Sequence, residues 1–268
     1  MIPEPAPTVR ELLAFYLEAG VDCALAEEPV DRLAELDAPP PAPRAAPIEA
    51  PRPIAAPAVM RGDAAPAPDV AIASAREAAR TAPTLEALRE LMQNFEGCAL
   101  KHTATRLVFA DGNPQARIMF VGEAPGRDED IEGLPFVGRS GKLLDLMIGA
   151  IGLNRSTAYI TNVIPWRPPG NRTPTPQETQ VCLPFIQRHI ELVNPDVLVT
   201  LGNPSTQTLL STREGIMRTR GRWFDYDTGQ RTIRALPTFH PAYLLRSPSY
   251  KRLAWQDLRA IAKALAGA

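Results

Sequence analysis

Residues 117–126 read RIMFVGEAPG. Four consecutive large apolar side chains, Ile118 to Val121, run into a turn made of glycine, alanine and proline around one glutamate. An uninterrupted apolar run of this length is the pattern of a strand covered on both faces, because a strand with one face in water would alternate. The reading is therefore a central strand of a parallel sheet. Ligands of open parallel sheets bind beyond the carboxyl ends of the strands, which is where Gly122-Glu123-Ala124-Pro125-Gly126 lies. The turn lacks both GxGxxG and the lysine of a phosphate-binding P-loop, so a nucleotide cofactor is not its natural occupant.

Three more runs share the pattern: Ala158 to Ile164 (AYITNVI), Asp196 to Leu201 (DVLVTL) and Thr232 to Phe239 (TIRALPTF). Helical periodicity lies between them, at Gly141 to Ile151, at Thr175 to Val193 with Pro176 in the first turn, and at Pro204 to Leu210. A helix capped by Thr84 runs to about Phe95, and another covers Tyr250 to Leu265. This alternation predicts an α/β fold, a three-layer α/β/α sandwich around a four-stranded, mainly parallel sheet. Each predicted strand end carries an unusual sequence: GEAPGRDED after the first, Asn162 within the second, Leu201-Gly202-Asn203 after the third and His240-Pro241 after the fourth. The chemistry is expected along that edge.

Outside this core the composition changes. The chain of 268 residues has 29 prolines against 17 glycines, and ten of those prolines fall between Ala38 and Asp69. That Ala/Pro tract cannot bury enough apolar surface to offset chain entropy, so it reads as an extended spacer. Before it, Thr8 to Glu27 reads as an amphipathic helix with Thr8 and Glu11 as a capping box. The expected organisation is an N-terminal helical element (1–37), a linker (38–69) and a catalytic domain (70–268). The helix either packs on the main domain or serves as a handle for a protein partner.

Net charge is −1, but residues 1–69 carry 5 basic and 12 acidic side chains whereas residues 155–252 carry 13 basic and 6 acidic. Twelve of those 13 are arginines, suited to forked phosphate contacts, although a compositional preference for arginine would look the same. No stretch approaches the roughly 18 apolar residues of a membrane span, and MIPEPAPTVRELL lacks the order of a secretory signal. A cytoplasmic protein without a membrane partner is expected. Cys23, Cys98 and Cys182 form no CxxC and no zinc-ligand spacing, which predicts no metal site.

After the first strand, Leu134 to Gly141 (LPFVGRSG) leads into a helix with Ser140 as its expected N-cap, and exposed amides at such a start can hold a phosphate. The segments GEAPGRDEDIEGLPFVGRSGKLLD (122–145), YITNVIPWRPPGNRTPTPQE (159–178), VCLPFI (181–186), Leu201-Gly202 and FHPAYLLR (239–246), taken in order and spacing, resemble the family 4 uracil-DNA glycosylases. The resemblance covers roughly Gly97 to Leu265 and leaves the first ninety or so residues unexplained.

The resemblance implies a base-excision repair enzyme that flips uracil out of DNA and hydrolyses its N-glycosidic bond, leaving an abasic site. Phe136 would be the platform on which the base stacks, with Gly122 beside it; an ordinary core ring is the alternative. Asn162 would read the uracil edge, accepting from N3 and donating to O4. His240 would stabilise charge on the departing base at O2, the alternative being a cap at a strand end. Glu123 and Glu129 are both candidates for orienting the attacking water, with a solvated acidic loop including Asp128 and Asp130 as the rival reading. DNA contacts would come from Arg139, Ser140, Gly141, Arg172, Tyr243, Leu245 and Arg246, with Leu244 and Leu245 either a wedge or core. Arg213, Arg218, Arg220 and Arg222 add positive charge.

Members of this family typically hold a 4Fe-4S cluster on four cysteines. Here Cys98 and Cys182 match two of the four places, while Phe95 and Trp166 stand at the others. The expectation is no cluster and no other cofactor, with Cys98 and Cys182 as buried free thiols. Trp166 raises a repacked, wider pocket and hence deaminated bases beyond uracil. No lysine lies where a Schiff base would form, so a monofunctional, monomeric hydrolase is expected. The rival class is a non-catalytic module that binds uracil-containing or abasic DNA.

Overall fold

The computed structural model describes residues 68–267. The expected N-terminal helix and all but the last two residues of the proline tract lie outside the described residues. Pro68 and Asp69, read as the end of the tract, form the first turn of helix α1 (Pro68–Thr81). This helix escapes a search for large apolar side chains because its buried stripe is alanine: Ala71, Ala75 and Ala79, each at most 3% exposed. Spacing of four places them on one face, and their small size lets a neighbouring helix approach closely.

Helix α2 (Leu85–Asn94) begins where Thr84 Oγ1 accepts from the Ala87 amide at 3.2 Å. The chain then builds β1 (Asp111–Gly112), β2 (Ile118–Gly122), α3 (Arg127–Glu132), α4 (Arg139–Gly149), β3 (Tyr159–Asn162), α5 (Pro176–Val193), β4 (Val197–Leu201) and α6 (Asn203–Leu210). It ends with α7 (Ile216–Thr219), β5 (Phe224–Asp227), β6 (Thr232–Thr238), α8 (Pro241–Arg246) and α9 (Lys251–Ala266). Strand order is β1-β3-β2-β4-β6-β5. The four central strands are the four apolar runs, all parallel; β1 and β5 are antiparallel edges. Among the described residues the sheet therefore has six strands rather than four. Its edges are illegible in sequence because β1 has two residues and β5, Phe-Asp-Tyr-Asp, has four, with two exposed aspartates interrupting its apolar residues.

Alternate residues of the central strands feed two separate cores. Met119, Val121 and Leu198 pack with Leu88, Phe185 and Ile190 of α2 and α5 on one face. Ile118, Phe120 and Val199 pack with Leu144, Ile148 and Leu258 of α4 and α9 on the other. This alternation is the three-layer sandwich. The α9 layer is pinned by Asp257, 1% exposed, which accepts from Thr238 Oγ1 at 2.8 Å and from Arg220 Nε at 3.0 Å.

Register decides where the site forms. Gly122 pairs with Asn162 and Leu201 with Thr238, so the parallel strands finish at one edge with His240 just beyond.

Candidate active site

The loop after β2 is organised by Glu129. Its Oε2 accepts from the Gly126 amide at 3.0 Å, and its Oε1 accepts from Val137 and Gly138 amides at 3.1 and 3.0 Å. Both oxygens thereby tie the start of α3 to the loop before α4. Asp130 is also buried, accepting from Thr105 and Arg106, so neither residue belongs to a solvated acidic loop. Glu123 is different: half-buried in the wall of the main pocket, its carboxylate accepts no hydrogen bond among the described residues, and burial pushes it above the ordinary carboxylate range. The two glutamates, equivalent in sequence, thus divide into a scaffold and a free carboxylate.

Phe136 sits in the left-handed region at φ 55°, a conformation that costs a non-glycine residue about 1–3 kcal/mol unless its surroundings fix it. Arg155 does so, donating to the Phe136 carbonyl and, at 3.1 Å, to that of Pro135, while Asp111 and Asp145 hold the guanidinium at 2.6 and 2.9 Å. Gly141 is buried against the same carbonyl; a Cβ there would lie 1.7 Å from Phe136 O. Its geometry serves this loop, not an exposed phosphate contact. The N-cap of α4 is Gly138, not Ser140, because Arg139 and Ser140 are already helical. The Phe136 ring is 4% exposed and lies 5.5 Å from the His240 ring, centroid to centroid.

Asn162 is 4% exposed, and its Oδ1 has no hydrogen-bond partner. Leaving a buried acceptor unpaired costs about 1–3 kcal/mol. Asn162 is a residue of the pocket wall, so a ligand entering that pocket can supply the missing partner.

His240 caps α8. Its Nδ1 accepts from the Ala242 amide at 3.1 Å, which in the neutral ring leaves the hydrogen on Nε2. Burial, aided by Arg246, pushes its pKa down to about 4. A neutral imidazole that donates from Nε2 is the result. Gly202, at φ +91°, backs it closely, since a Cβ there would meet His240 Cβ at 2.9 Å. Asn203 follows, also with an unpartnered buried Oδ1. Sequence reasoning flagged Gly202 and Asn203 only as an unusual strand end; the signal available was a glycine and a carboxamide at the carboxyl end of a parallel strand.

Glu123, Phe136, Asn162, Asn203 and His240 converge on one pocket of about 590 Å³. Ser140, Arg172, Tyr243 and Arg246 also line it, and no lysine does among the described residues. Arg172 is held by Glu178 through two bonds at 2.9 and 2.6 Å. Tyr243 stacks on Phe239 at 5.5 Å. The two leucines separate: Leu244 is core at 1% exposed and Leu245 stands out at 38%. Arg139 is exposed. Of the four further arginines, Arg220 pairs with Asp257 and Arg222 with Glu214, while Arg213 and Arg218 are exposed without an acidic partner among the described residues.

Cys98 and Cys182 are buried with their sulfurs 3.9 Å apart. That contact and burial push the Cys182 thiol well above its ordinary range. Phe95 packs edge-on against Phe185 at 4.9 Å, and Trp166 is 2% exposed. Two touching thiols and two packed rings do not fit a four-thiolate cluster. Trp166 is core and lies outside the pocket wall, so it gives no reason for a wider pocket.

Residues 109–259 match the Uracil DNA glycosylase superfamily. The chain is 40% identical over 183 residues to the type-4 uracil-DNA glycosylase of Sulfurisphaera tokodaii, covering 66% of this chain and 83% of that one. It is 41% identical over 177 residues to that of Thermotoga maritima, covering 65% and 91%. Against that of Archaeoglobus fulgidus the identity is 39% over 178 residues, covering 65% and 89%.

Proposed function

The chain belongs to the uracil DNA glycosylase superfamily and is a type-4 uracil-DNA glycosylase, and we propose that Asn162, Phe136, Glu123 and His240 carry out its excision of uracil from DNA. The observation that carries this assignment of roles is the buried, unpartnered Oδ1 of Asn162, a residue of the pocket wall. Uracil offers the missing donor at N3, while the other end of the carboxamide donates to O4. Phe136 supplies the stacking face.

Cleavage sends the electron pair of the C1′–N1 bond onto the base and leaves positive character on the sugar. His240 donates from Nε2 to O2, where the negative charge develops, without itself giving up a proton. Ionised Glu123 orients a water toward C1′ and takes its proton as the C–O bond forms; that proton ends on the released base. Glu129 is the positioning residue of this loop. That no lysine lines the pocket among the described residues supports a monofunctional hydrolase.

The protein is proposed to work without an iron-sulfur cluster, as a cytoplasmic monomer on uracil-containing DNA. Support for the first point is the poor fit of Cys98, Cys182, Phe95 and Trp166 to four thiolate ligands; about four irons per chain and cluster absorbance in purified protein would overturn it. Among the described residues no helix is long and apolar enough to cross a membrane. The N-terminal segment is proposed as the element that meets a protein partner.

The roles are tested with a uracil-bearing oligonucleotide followed by alkali. The intact chain gives strand scission at uracil; full rate in Asn162→Ala or His240→Ala would show the site to be misplaced.

A further inference from the structure

Beside the catalytic pocket runs a second groove of about 600 Å³. Asn203 and Ile216 line both, so the two are adjacent. The groove's remaining wall is the segment from Arg213 to Arg218. Met217 is 54% exposed there, a large apolar side chain between two exposed arginines.

Charge distribution narrows the occupant. Arg220 is held by buried Asp257 and Arg222 by Glu214 at 2.7 Å. Glu214, the acidic residue of the groove, is therefore neutralised from outside it. Arg213 and Arg218 keep their positive charge for whatever enters. Two unpaired guanidiniums beside an exposed apolar side chain suit a ligand with anionic oxygens at intervals and flat apolar faces between them, which describes a nucleic-acid strand. A strand whose nucleotide is turned into the pocket passes over the surface next to it, which includes this groove.

We propose that this groove seats the DNA strand next to the flipped uracil, with Arg213 and Arg218 on its phosphates and Met217 against the face of an adjacent base. Apolar side chains used in this way fill the space opened by unstacking. The inference rests on the uracil-excision reading and adds a strand contact separate from the exposed end of α8, where Leu245 and Arg246 stand.

The experiment uses the full chain and an oligonucleotide carrying 2′-fluorodeoxyuridine, which resists hydrolysis, with affinity measured across salt concentrations. In Arg213→Gln/Arg218→Gln, the slope of log affinity against log salt is expected to shrink by about 1.8, from about 0.9 per lost phosphate contact. The single-turnover rate at saturating uracil DNA stays within about twofold, since neither arginine touches the reacting atoms. Met217→Ala weakens binding through the lost apolar contact and leaves the slope unchanged. Arg231→Gln, away from the groove and paired with Asp196, is the control. A double variant with an unchanged slope overturns the proposal. Wild-type protein that releases no uracil from ordinary uracil DNA would instead overturn the reading beneath it.

Discussion

Gly122 and Asn162 face each other at the carboxyl ends of adjacent parallel strands, so closely that a Cβ on Gly122 would lie 2.3 Å from Asn162 Oδ1 and 2.6 Å from the Phe136 ring. Glycine here is a condition for both side chains to occupy their places. Gly122→Ala is expected to displace the carboxamide and the ring together. Single-turnover excision should drop about 100-fold, as for an ångström-scale misplacement of reacting groups, while the fold persists by circular dichroism. A near wild-type rate would mean that the two side chains relax without consequence.

The buried, unpaired Asn162 Oδ1 predicts a conflict between stability and activity. Asn162→Leu, similar in volume, removes an unsatisfied acceptor and should gain about 1 kcal/mol, read as a higher urea midpoint. The same variant should lose uracil excision. A lowered midpoint would show that the carboxamide is satisfied in the free protein.

The state of His240 fixes the pH profile. With its pKa near 4, the ring is neutral throughout the range in which an ordinary histidine titrates. Excision should therefore show no inflection near pH 6.5, a value expected for free histidine. The acid limb should follow Glu123, whose carboxyl is raised by burial. Glu123→Gln is expected to lower the rate by about 10²–10⁴-fold and to abolish that limb. A limb that survives in Glu123→Gln would assign the general base elsewhere.

His189 makes an independent prediction about stability. Fully enclosed, it pairs with Tyr159 Oη at 2.8 Å and stacks on Phe109 at 4.4 Å, and burial pushes its pKa down to about 3. The folded protein keeps this ring neutral, whereas the unfolded chain protonates it below about pH 6.5. The unfolded state thus binds the extra proton, so stability falls as pH drops from about 6.5 toward 3, by up to about 1.4 kcal/mol per unit for this one group. His189→Gln, which can keep the bond to Tyr159, should flatten that slope in urea titrations between pH 6 and 4.

The Arg220–Asp257 pair locks α9 to the end of β6 at a buried position. Arg220→Met leaves the carboxylate without its counter-charge and should cost about 3–5 kcal/mol. Arg220→Met/Asp257→Leu should recover part of the loss. Equal unfolding midpoints for the single and double variants would show that the uncompensated charge is not the cause.

The four apolar runs alone determined the central sheet, and the residues at their carboxyl ends marked the edge where the candidate site forms. A buried parallel strand and the loop leaving it are local patterns, so Gly122, Glu123, Asn162 and His240 were legible without a fold. The alanine-striped α1 and the short edge strands were not, because none of them carries a run of large apolar side chains long enough to stand out. Only the tertiary structure separated Glu129, whose oxygens accept amides from Gly126, Val137 and Gly138, from Glu123, which faces the pocket unpaired. It likewise placed Leu244 in the core and Leu245 in solvent, fixed the His240 tautomer through the Ala242 amide, and sorted paired from free arginines. These distinctions depend on which hydrogen-bonding and charged partners the fold brings within reach, and several of those partners lie far away along the chain.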